Sequence, residues 1–373
     1  MKKKILFSSN IIWSIYNFRS KLLLDLQNDN YEIHVLGKKD KYVNHLEKLG
    51  FTVHVLALNN VSKNPLNEIL LLVNYLKIYN RIKPDLILHN SIKPNVYGSL
   101  AARFLGIKVI NNISGLASSY LLNNWVTKVT LVLYKISQLK AQVVFFQNPV
   151  DLEIFTSKSI VKTNIARYIP GSGVDLDDFK FLKRISKMKR PFEFIFVGRL
   201  IKDKGIIELY NATINLKKEH KNFIVKIVGD RYDGNNSNIS DNDYLKFQKD
   251  PVFEMVSHTD NIYEELKHSD CLVLPSYREG LSKSLIEAGS SGLPAIASDV
   301  PGCNDVIIDG YNGFLFKSRD SVSLKNIMEK VLLLDKQILY EMGVNSRKNV
   351  EEKFSINQVI KIYKKEINKI LVK

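Results

Sequence analysis

Two stretches decide the fold: FEFIFVGRLIKDKGIIELYNA at residues 192–212 and CLVLPSYREGLSKSLIEAGSSGLPAIASD at residues 271–299. Each begins with a short apolar run and continues through a polar loop into an amphipathic segment. Apolar runs that alternate with amphipathic segments predict parallel strands connected by helices. The carboxyl ends of parallel strands lie at one edge of a sheet. The two polar loops are therefore expected to meet there.

The same alternation fills the N-terminal part of the chain, in the runs KILFSS, YEIHVLG, FTVHVLAL, DLILHN, KVINNIS and QVVFFQN. It pauses near residues 172–190 and then restarts. The sequence thus predicts an α/β protein with two Rossmann-like, doubly wound parallel-sheet domains that face a cleft, at residues 1–172 and 190–354. A C-terminal helix at about 355–373 carries an apolar stripe, and we expect it to pack back on the first domain.

Composition restricts the class of protein. The chain has 373 residues, of which 45% are hydrophobic and 25% charged, as in globular proteins. Cys271 and Cys303 fit no disulfide framework and no metal-ligand spacing. The opening MKKKILFSSN has too short an apolar run for a signal peptide, and no apolar stretch reaches the roughly 20 residues that span a bilayer. We therefore expect a cytoplasmic protein, either soluble or peripheral at the inner face of the cell membrane.

The positive charge is unevenly distributed. Net charge is +16, and residues 1–180 hold 23 Lys and Arg against 12 Asp and Glu. Such an excess suits nucleic acid, anionic lipid or a phosphate-bearing substrate, and it also occurs as plain solvation. The basic, aromatic segment with Trp125, Lys128, Tyr134, Lys135 and Lys140 leaves two interpretations open. It is either a helix on an anionic membrane, or an ordinary helix that packs Val129, Val132 and Leu133 on the sheet.

Charged residues follow the strands of the second domain. Arg199 comes directly after one strand and Lys204 lies at the start of the next helix, so both cations can reach one anion. Glu279 and Gly280 lie on the loop after a later strand, and Glu287 lies inside the helix that begins near Ser282. Glycine allows close approach of a ligand to the backbone, and a helix N-terminus offers free N–H groups to an anion.

These groups suit a sugar that is attached to a diphosphate. Negative charge develops on the diphosphate as the glycosidic bond breaks, and two fixed cations with a helix N-terminus stabilise it. Ionised carboxylates accept hydrogen bonds from sugar hydroxyls. The Asp-x-Asp pairs at 175–177 and 241–243 do not follow a strand in the way a metal motif requires. We therefore predict no metal and no cofactor, since the sugar diphosphate would be a substrate.

With these elements in order, the sequence resembles a retaining glycosyltransferase of family 4 with the GT-B fold, over nearly the whole chain. The Glu-x7-Glu motif of that family matches Glu279 and Glu287, and its Arg and Lys match Arg199 and Lys204. The resemblance implies that Arg199 and Lys204 grip the donor diphosphate, that Glu287 binds the ribose and that Glu279 approaches the transferred sugar. It also assigns donor contacts to Gly280, Leu281 and Ser282.

The segments SIYNFRSKLLLDL (14–26) and SIKPNVYGSLAARFLGI (91–107) resemble bacterial enzymes that extend lipid-linked oligosaccharides, including N-acetylgalactosaminyltransferases. This resemblance implies a UDP-sugar donor, with a hexose or N-acetylhexosamine, and a glycan or polyprenyl-diphosphate-linked acceptor in surface polysaccharide or glycan biosynthesis. Two family features are missing, a Gly-Gly turn after the first strand and a histidine after the fifth. The missing features belong to the side of the site where the acceptor is expected. Asn17, Arg19 and Ser114 are the candidates for that side.

Two other functions compete with sugar transfer. A UDP-sugar epimerase or another enzyme of the same fold would bind the same donor, but the sequence has no acid and base pattern around a sugar. A basic nucleic-acid-binding protein would explain the charge. However, the sequence lacks a helix-turn-helix, zinc or aromatic-strand signature, so we expect no nucleic acid partner.

Overall fold

The computed structural model describes residues 2–57, 65–115, 125–183, 190–231 and 237–371, apart from the side chains of Pro65, Trp125 and Val126. The chain divides into two compact units. Unit 1 combines residues 1–173 with residues 356–373, and unit 2 comprises residues 174–355. Among the described residues, no helix is both long enough and apolar enough to cross a bilayer.

Unit 1 is a parallel sheet with helices on both faces. Its strands are β1 (Lys4–Ile11), β2 (Glu32–Lys38), β3 (Thr52–Val55), β4 (Leu86–Asn90), β5 (Lys108–Ile113), β6 (Val143–Phe146) and β7 (Ala166–Tyr168). Its helices are α1 (Ile12–Asn28), α2 (Val43–Lys48), α3 (Pro65–Ile82), α4 (Ser99–Phe104), α5 (Trp125–Gln138) and α6 (Pro149–Ser157), with a π-helical turn at Pro94–Gly98. The described strands pair in the order β3-β2-β1-β4-β5-β6-β7.

Unit 2 repeats this architecture. Its strands are β8 (Phe192–Val197), β9 (Phe223–Val228), β10 (Phe253–Val256), β11 (Cys271–Leu274), β12 (Ala295–Ser298) and β13 (Gly313–Phe316), and they pair in the order β10-β9-β8-β11-β12-β13. Its helices are α7 (Ile206–Glu219), α8 (Asp241–Lys249), α9 (Ile262–His268), α10 (Lys283–Ser290), α11 (Ser321–Leu332) and α12 (Lys336–Lys353), and a 3₁₀ turn spans Lys202–Lys204. The buried apolar strands are those that a sheet covered on both faces requires.

The strand order reverses direction at one point in each sheet. The reversal lies between β1 and β4 in unit 1 and between β8 and β11 in unit 2. At such a switch point the two connecting loops leave the sheet in opposite directions. They open a crevice at the carboxyl ends of the strands, where α/β proteins bind ligands. The loops after β8 and β11 carry Arg199 and Glu279, so the predicted site residues lie at the switch point of unit 2.

The last helix, α13 (Ile356–Leu371), belongs to unit 1. It packs against α1, and it buries Val359, Tyr363 and Ile367 in the core that lies between the sheet and these two helices. The change of unit occurs at Gly173, where a Cβ atom would stand 2.7 Å from the Cα of Ile356. Glycine is therefore required where the two chain segments cross.

Candidate active site

Lys204 and Glu279 form the centre of the site. The Lys204 ammonium donates a hydrogen bond to Oε1 of Glu279, and the hydroxyl of Ser276 donates to the same oxygen at 2.6 Å. The side chains are 21% and 13% exposed, so water reaches the pair only partly. Screening is weaker at such a position than on an open surface. The two residues are 75 positions apart in the sequence and meet because β8 and β11 are neighbours.

Gly205 allows the loop after β8 to lie directly against the loop after β11. Gly205 adopts φ +68°, and a Cβ atom there would lie 2.0 Å from the carbonyl oxygen of Pro275. The amide of Tyr277 donates to the carbonyl of Asp203 at 2.9 Å. The backbone after Lys204 thus lies directly against the start of the loop that carries Glu279, and no side chain fits between them.

The loop after β12 packs against the backbone of the loop that carries Glu279. The amide of Glu279 donates to the carbonyl of Pro301 at 3.2 Å, and the amide of Ser282 donates to the carbonyl of Gly302 at 3.1 Å. Gly302 has φ +82°, and a Cβ atom there would lie 2.6 Å from the Glu279 carbonyl oxygen. The segment DVPGCNDVI (299–307), which contains Pro301 and Gly302, is typical of the family that the sequence resembles, but no role was predicted for either residue. Their signal is the pair of turn residues directly after the next strand, in DVPGCND.

Ser282 caps the helix that follows. Its hydroxyl accepts a hydrogen bond from the amide of Leu285 at 3.3 Å, and α10 begins at the next residue. Leu281 is half-buried and packs on the core of unit 2, which leaves its backbone at the loop surface. The predicted contacts Gly280, Leu281 and Ser282 therefore lie on the turn that leads from Glu279 into the N-terminus of α10.

Glu287 lies one helical turn further along α10. Its carboxylate oxygen is 3.6 Å from the ammonium of Lys283, and its side chain is 13% exposed. Burial raises the pKa of Glu287, and the positive charge of Lys283 opposes that rise. Its ionised form is therefore poorly solvated and is stabilised in part by Lys283.

Arg199 is exposed directly after β8. A Cβ atom on its neighbour Gly198 would lie 4.0 Å from Cδ of Lys204, so the two basic residues leave the same part of the sheet edge. The structure thus places Arg199, Lys204 and Glu279 around one switch point, with Ser282 and Glu287 on the adjoining helix.

The cysteines lie in the core of unit 2. Cys271 and Cys303 are buried and free. Burial raises the pKa of both thiols, and the negative charge of Glu279 adds to the effect at Cys303. Since the thiolate is the reactive form, both are expected to be inert packing residues.

The three candidates of the acceptor side lie in different surroundings of unit 1. Asn17 and Ser114 are exposed. Arg19 is only 2% exposed and lies 5.8 Å from the ring centroid of Tyr363 on α13. Its Nε and Nη1 atoms have no hydrogen-bond partner among the described residues. Asn17 and Arg19 are two positions apart on α1, so they point to different faces of that helix.

The switch point of unit 1 carries polar groups that sequence reasoning missed. The hydroxyls of Ser9 and Ser91 are 3.1 Å apart, which joins the ends of β1 and β4. The Oδ1 atoms of Asn10 and Asn90 are buried without a hydrogen-bond partner in the described structure. Unsatisfied buried acceptors are costly and uncommon. Both asparagines lie near the carboxyl ends of neighbouring parallel strands, and that position is the signal that the sequence offered.

The buried histidine of unit 1 is a structural residue. Nε2 of His89 lies 2.8 Å from the hydroxyl of Tyr79, and its Nδ1 lies 2.8 Å from Oδ1 of Asn111. Burial lowers the pKa of His89 to about 4, so it is neutral at physiological pH. His89 is therefore a core histidine whose two ring nitrogens are both occupied by hydrogen bonds.

Two parallel α/β units with charged loops at the switch point of the second define an enzyme of the GT-B glycosyltransferase class. Comparison with known families supports this class directly. Residues 4–148 match the family "Glycosyl transferase 4-like", and residues 177–352 match "Glycosyl transferases group 1". The chain therefore belongs to the glycosyltransferases of these two family types, one in each half.

Curated relatives and solved structures agree. The chain is 28% identical, over 98% of its length and 100% of the relative, to the N,N'-diacetylbacillosaminyl-diphospho-undecaprenol alpha-1,3-N-acetylgalactosaminyltransferase of Campylobacter jejuni. It is 27% identical to the UDP-Gal:alpha-D-GlcNAc-diphosphoundecaprenol alpha-1,3-galactosyltransferase of Escherichia coli, over 76% of this chain and 75% of that one.

Solved structures share the fold. HepE from Anabaena, solved with UDP and glucose, aligns over 98% of this chain and 99% of its own with a TM-score of 0.80 at 18% identity. The sucrose-phosphate synthase of Thermosynechococcus elongatus aligns over 100% of both chains with a TM-score of 0.81 at 17% identity. The predicted fold class and family resemblance are confirmed.

Proposed function

We propose that this glycosyltransferase moves a hexose or N-acetylhexosamine from a UDP-sugar, with retention of configuration, to a glycan on a polyprenyl diphosphate. The observation that carries the proposal is the half-buried pair of Lys204 and Glu279 at the switch point of unit 2. This arrangement offers a cation to the diphosphate and a carboxylate to the sugar at one place. The product would serve surface polysaccharide or glycan biosynthesis.

Donor binding separates this ion pair. Lys204 turns to the diphosphate, together with Arg199 and the backbone amides at the start of α10, and these groups stabilise the charge that develops as the leaving group departs. Glu279, released from Lys204, accepts hydrogen bonds from sugar hydroxyls. Glu287 accepts the two ribose hydroxyls, which add donors to a carboxylate that Lys283 already contacts.

The transfer step needs no nucleophile from the protein. The bond between C1 of the sugar and the diphosphate oxygen breaks, and a bond from C1 to the acceptor oxygen forms on the same face. The acceptor proton passes to the departing diphosphate oxygen, so atoms and charge balance. Lys204 and Arg199 then hold the nucleoside diphosphate as it forms.

The acceptor is proposed to bind unit 1. Both curated relatives described above act on sugars that are linked to undecaprenol through a diphosphate. In this chain, the unsatisfied acceptors of Asn10 and Asn90 at the switch point of unit 1 suit the hydroxyls of an incoming glycan. Such an acceptor is anchored in a membrane, and the enzyme is therefore proposed to work at the cytoplasmic surface of that membrane.

Transfer is proposed to be independent of a divalent metal, because Lys204 and Arg199 supply the positive charge that a metal would bring to the diphosphate. One group of metal-capable side chains lies elsewhere in the described residues, formed by Glu219, His220 and Glu329. The ammonium of Lys325 bonds with both of its carboxylates, so a cation already serves this group. We expect the transfer rate to be unchanged by a chelator.

The test is sugar transfer by purified variants. Lys204→Ala and Glu279→Gln are expected to lower the transfer rate by about 10²- to 10³-fold, which is the cost of losing one preorganised stabilising group. Lys202→Ala is the matched control, because Lys202 is exposed two positions earlier in the same turn. UDP-sugars are offered with a synthetic polyprenyl-diphosphate glycan, and the product is measured by mass spectrometry.

Two outcomes would contradict the proposal. Transfer by Lys204→Ala at the rate of the unmodified chain would remove the role given to that ammonium. Conversion of the UDP-sugar to its epimer in the absence of acceptor would identify the chain as an epimerase. The anomeric configuration of the product, read by nuclear magnetic resonance, tests retention separately.

A further inference from the structure

Helix α3 presents an apolar stripe to the outside of unit 1. Leu66, Ile69, Leu70 and Val73 follow the spacing of one helical face, and all four are exposed, Leu66 by 68%. The opposite face already packs on the sheet through Leu71, Tyr75 and Tyr79. Helices of globular proteins place an apolar stripe on one side only, toward the core. The second stripe of α3 therefore needs another explanation.

Helix α5 has a similar outward stripe, in the segment for which the sequence left two interpretations. Val129, Val132 and Ile136 are 42–56% exposed, together with Leu139 just after the helix. The interpretation of an ordinary helix placed Val129 and Val132 on the sheet, but the structure turns them outward. Tyr134, from the aromatic set, is buried instead, and the side chain of Trp125 lies outside the described residues.

The two stripes belong to one surface. Helix α4 contacts both α3 and α5 on the same side of the sheet. Its last residue, Phe104, is 74% exposed, and the preceding Arg103 donates a hydrogen bond to the carbonyl of Ile136 at 3.4 Å. The surface, called here the α3–α5 face, consists of Leu66, Ile69, Leu70, Val73, Phe104, Val129, Val132, Ile136 and Leu139.

This apolar surface is surrounded by positive charge. The sequences of α3, α4 and α5 contain five basic residues, all exposed: Lys77, Arg81, Arg103, Lys128 and Lys135. Their one acidic residue, Glu68, pairs with Lys93 at 2.7 Å. The face therefore combines exposed aliphatic side chains with a net positive rim.

The face reaches the rim of the proposed acceptor site. Because α3 follows β3 and α5 follows β5, the first turns of both helices lie at the carboxyl edge of the sheet. Leu66, Ile69 and Leu70 lie in these first turns of α3. The switch point with Asn10 and Asn90 opens at the same edge.

We infer that the α3–α5 face docks on a lipid bilayer that contains anionic phospholipid. Aliphatic side chains enter the interfacial region of a bilayer, and lysines and arginines beside them bind anionic headgroups. A second copy of the chain fits the charge poorly, because each copy carries a net charge of +16. The inference rests on the proposed function only in that a lipid-linked acceptor gives the docking its use.

Flotation of the full chain with vesicles tests this inference. The face variant replaces Leu66, Ile69 and Leu70 by serine, and its control replaces Val322, Leu333 and Ile338, which are equally exposed on unit 2. The charge variant replaces Lys77, Lys128 and Lys135 by glutamine, and its control replaces the exposed Lys249, Lys348 and Lys353 of unit 2. Vesicles consist of phosphatidylcholine with or without phosphatidylglycerol.

The unmodified chain and both controls are expected to float with the vesicles that contain phosphatidylglycerol. The face and charge variants should each lose about tenfold or more in affinity, since apolar insertion and charge attraction add. Equal binding by the face variant, or no binding by the unmodified chain, would overturn the inference. A dimer that the face variant dissociates, without vesicle binding, would assign the face to a second copy. Because the assay contains neither donor nor acceptor, a chain that floats but transfers nothing would contradict only the proposed function.

Discussion

Glu287 is a carboxylate whose ionised form lies in a poorly solvated position, which makes its protonation measurable in the stability of unit 2. Burial raises its pKa above the ordinary value of 4.5, with Lys283 opposing the rise. The folded chain therefore binds this proton more tightly than the unfolded chain does. The contribution of Glu287 to stability is favourable at low pH and is lost as pH rises through the folded pKa.

We expect Glu287→Gln to unfold at a higher temperature than the unmodified chain at neutral pH, because the amide carries no charge to desolvate. Below pH 4.5 the carboxylate is protonated in both the folded and the unfolded chain, and the difference should shrink. Thermal denaturation of both chains across this range measures it. Glu264→Gln is the control, because Glu264 is exposed on α9. A stability difference independent of pH would contradict the role of ionisation.

At the residue level, the sequence predicted which charged residues lie together in unit 2 but missed the polar groups of unit 1. Arg199, Lys204, Glu279 and Glu287 lie in a pattern whose spacing follows from strand ends and a helix start, so their grouping was predictable. Arg19 was proposed as a candidate for the acceptor side, where family features are missing, but it lies buried beside Tyr363 of α13. Whether an isolated polar residue on a helix is buried depends on the element that packs against that helix. For α1 this element is α13, which is far from α1 in the sequence.

Among the secondary-structure elements, the loop after β12 decides where Glu279 stands. Gly302 approaches the main chain of Glu279 so closely that a methyl group would lie 2.6 Å from its carbonyl oxygen. Gly310 has a similar positive φ of +73°, but its Cβ position has no neighbour within 4 Å. Comparing substitutions at Gly302 and Gly310 therefore separates the effect of a left-handed backbone conformation from the effect of contact with Glu279.

Gly310→Ala should lose about 1–2 kcal/mol of stability, the cost of a left-handed conformation for an L-residue. Gly302→Ala should lose this amount and more, because its methyl group would also overlap the main chain of Glu279. Only Gly302→Ala should also displace Glu279 and reduce the rate of sugar transfer, by about tenfold or more, since a shift of about 1 Å in a positioned group can cost 10²-fold. Unfolding curves and transfer assays of the two variants make the comparison. If Gly310→Ala loses as much activity as Gly302→Ala, the contact between Gly302 and Glu279 has no special role in transfer.

The strands were predictable because buried parallel strands are short continuous apolar runs, as in FIFV and CLVL. The outward apolar stripes of α3 and α5 were not predictable from the sequence. Both helices have enough aliphatic residues to form two apolar faces, and periodicity alone cannot tell which of them meets the sheet. The structure resolves this for α5 by burying Tyr134 and leaving Val132 exposed.

At the level of the whole molecule, the chain is not divided in sequence order. Residues 356–371 return to unit 1, so the folding of this unit depends on a helix that follows unit 2 in the sequence. Tyr363 is the centre of this dependence. It is 1% exposed, its ring lies 4.8 Å from that of Phe145, and its hydroxyl accepts a hydrogen bond from Asn112 at 3.2 Å.

Tyr363→Ala should therefore destabilise unit 1 and leave unit 2 intact. The loss is expected to be about 3–5 kcal/mol, the usual cost of removing a large buried aromatic side chain. Hydrogen exchange measured by mass spectrometry gives the protection of each unit separately: peptides from β1, β4 and β5 should exchange faster, while peptides from β8 and β11 keep their protection. Lys361→Ala, exposed on the same helix, is the control and should change neither. Equal loss of protection in both units would mean that they unfold as one cooperative body. In that case the return of α13 would stabilise the whole chain, and not unit 1 alone.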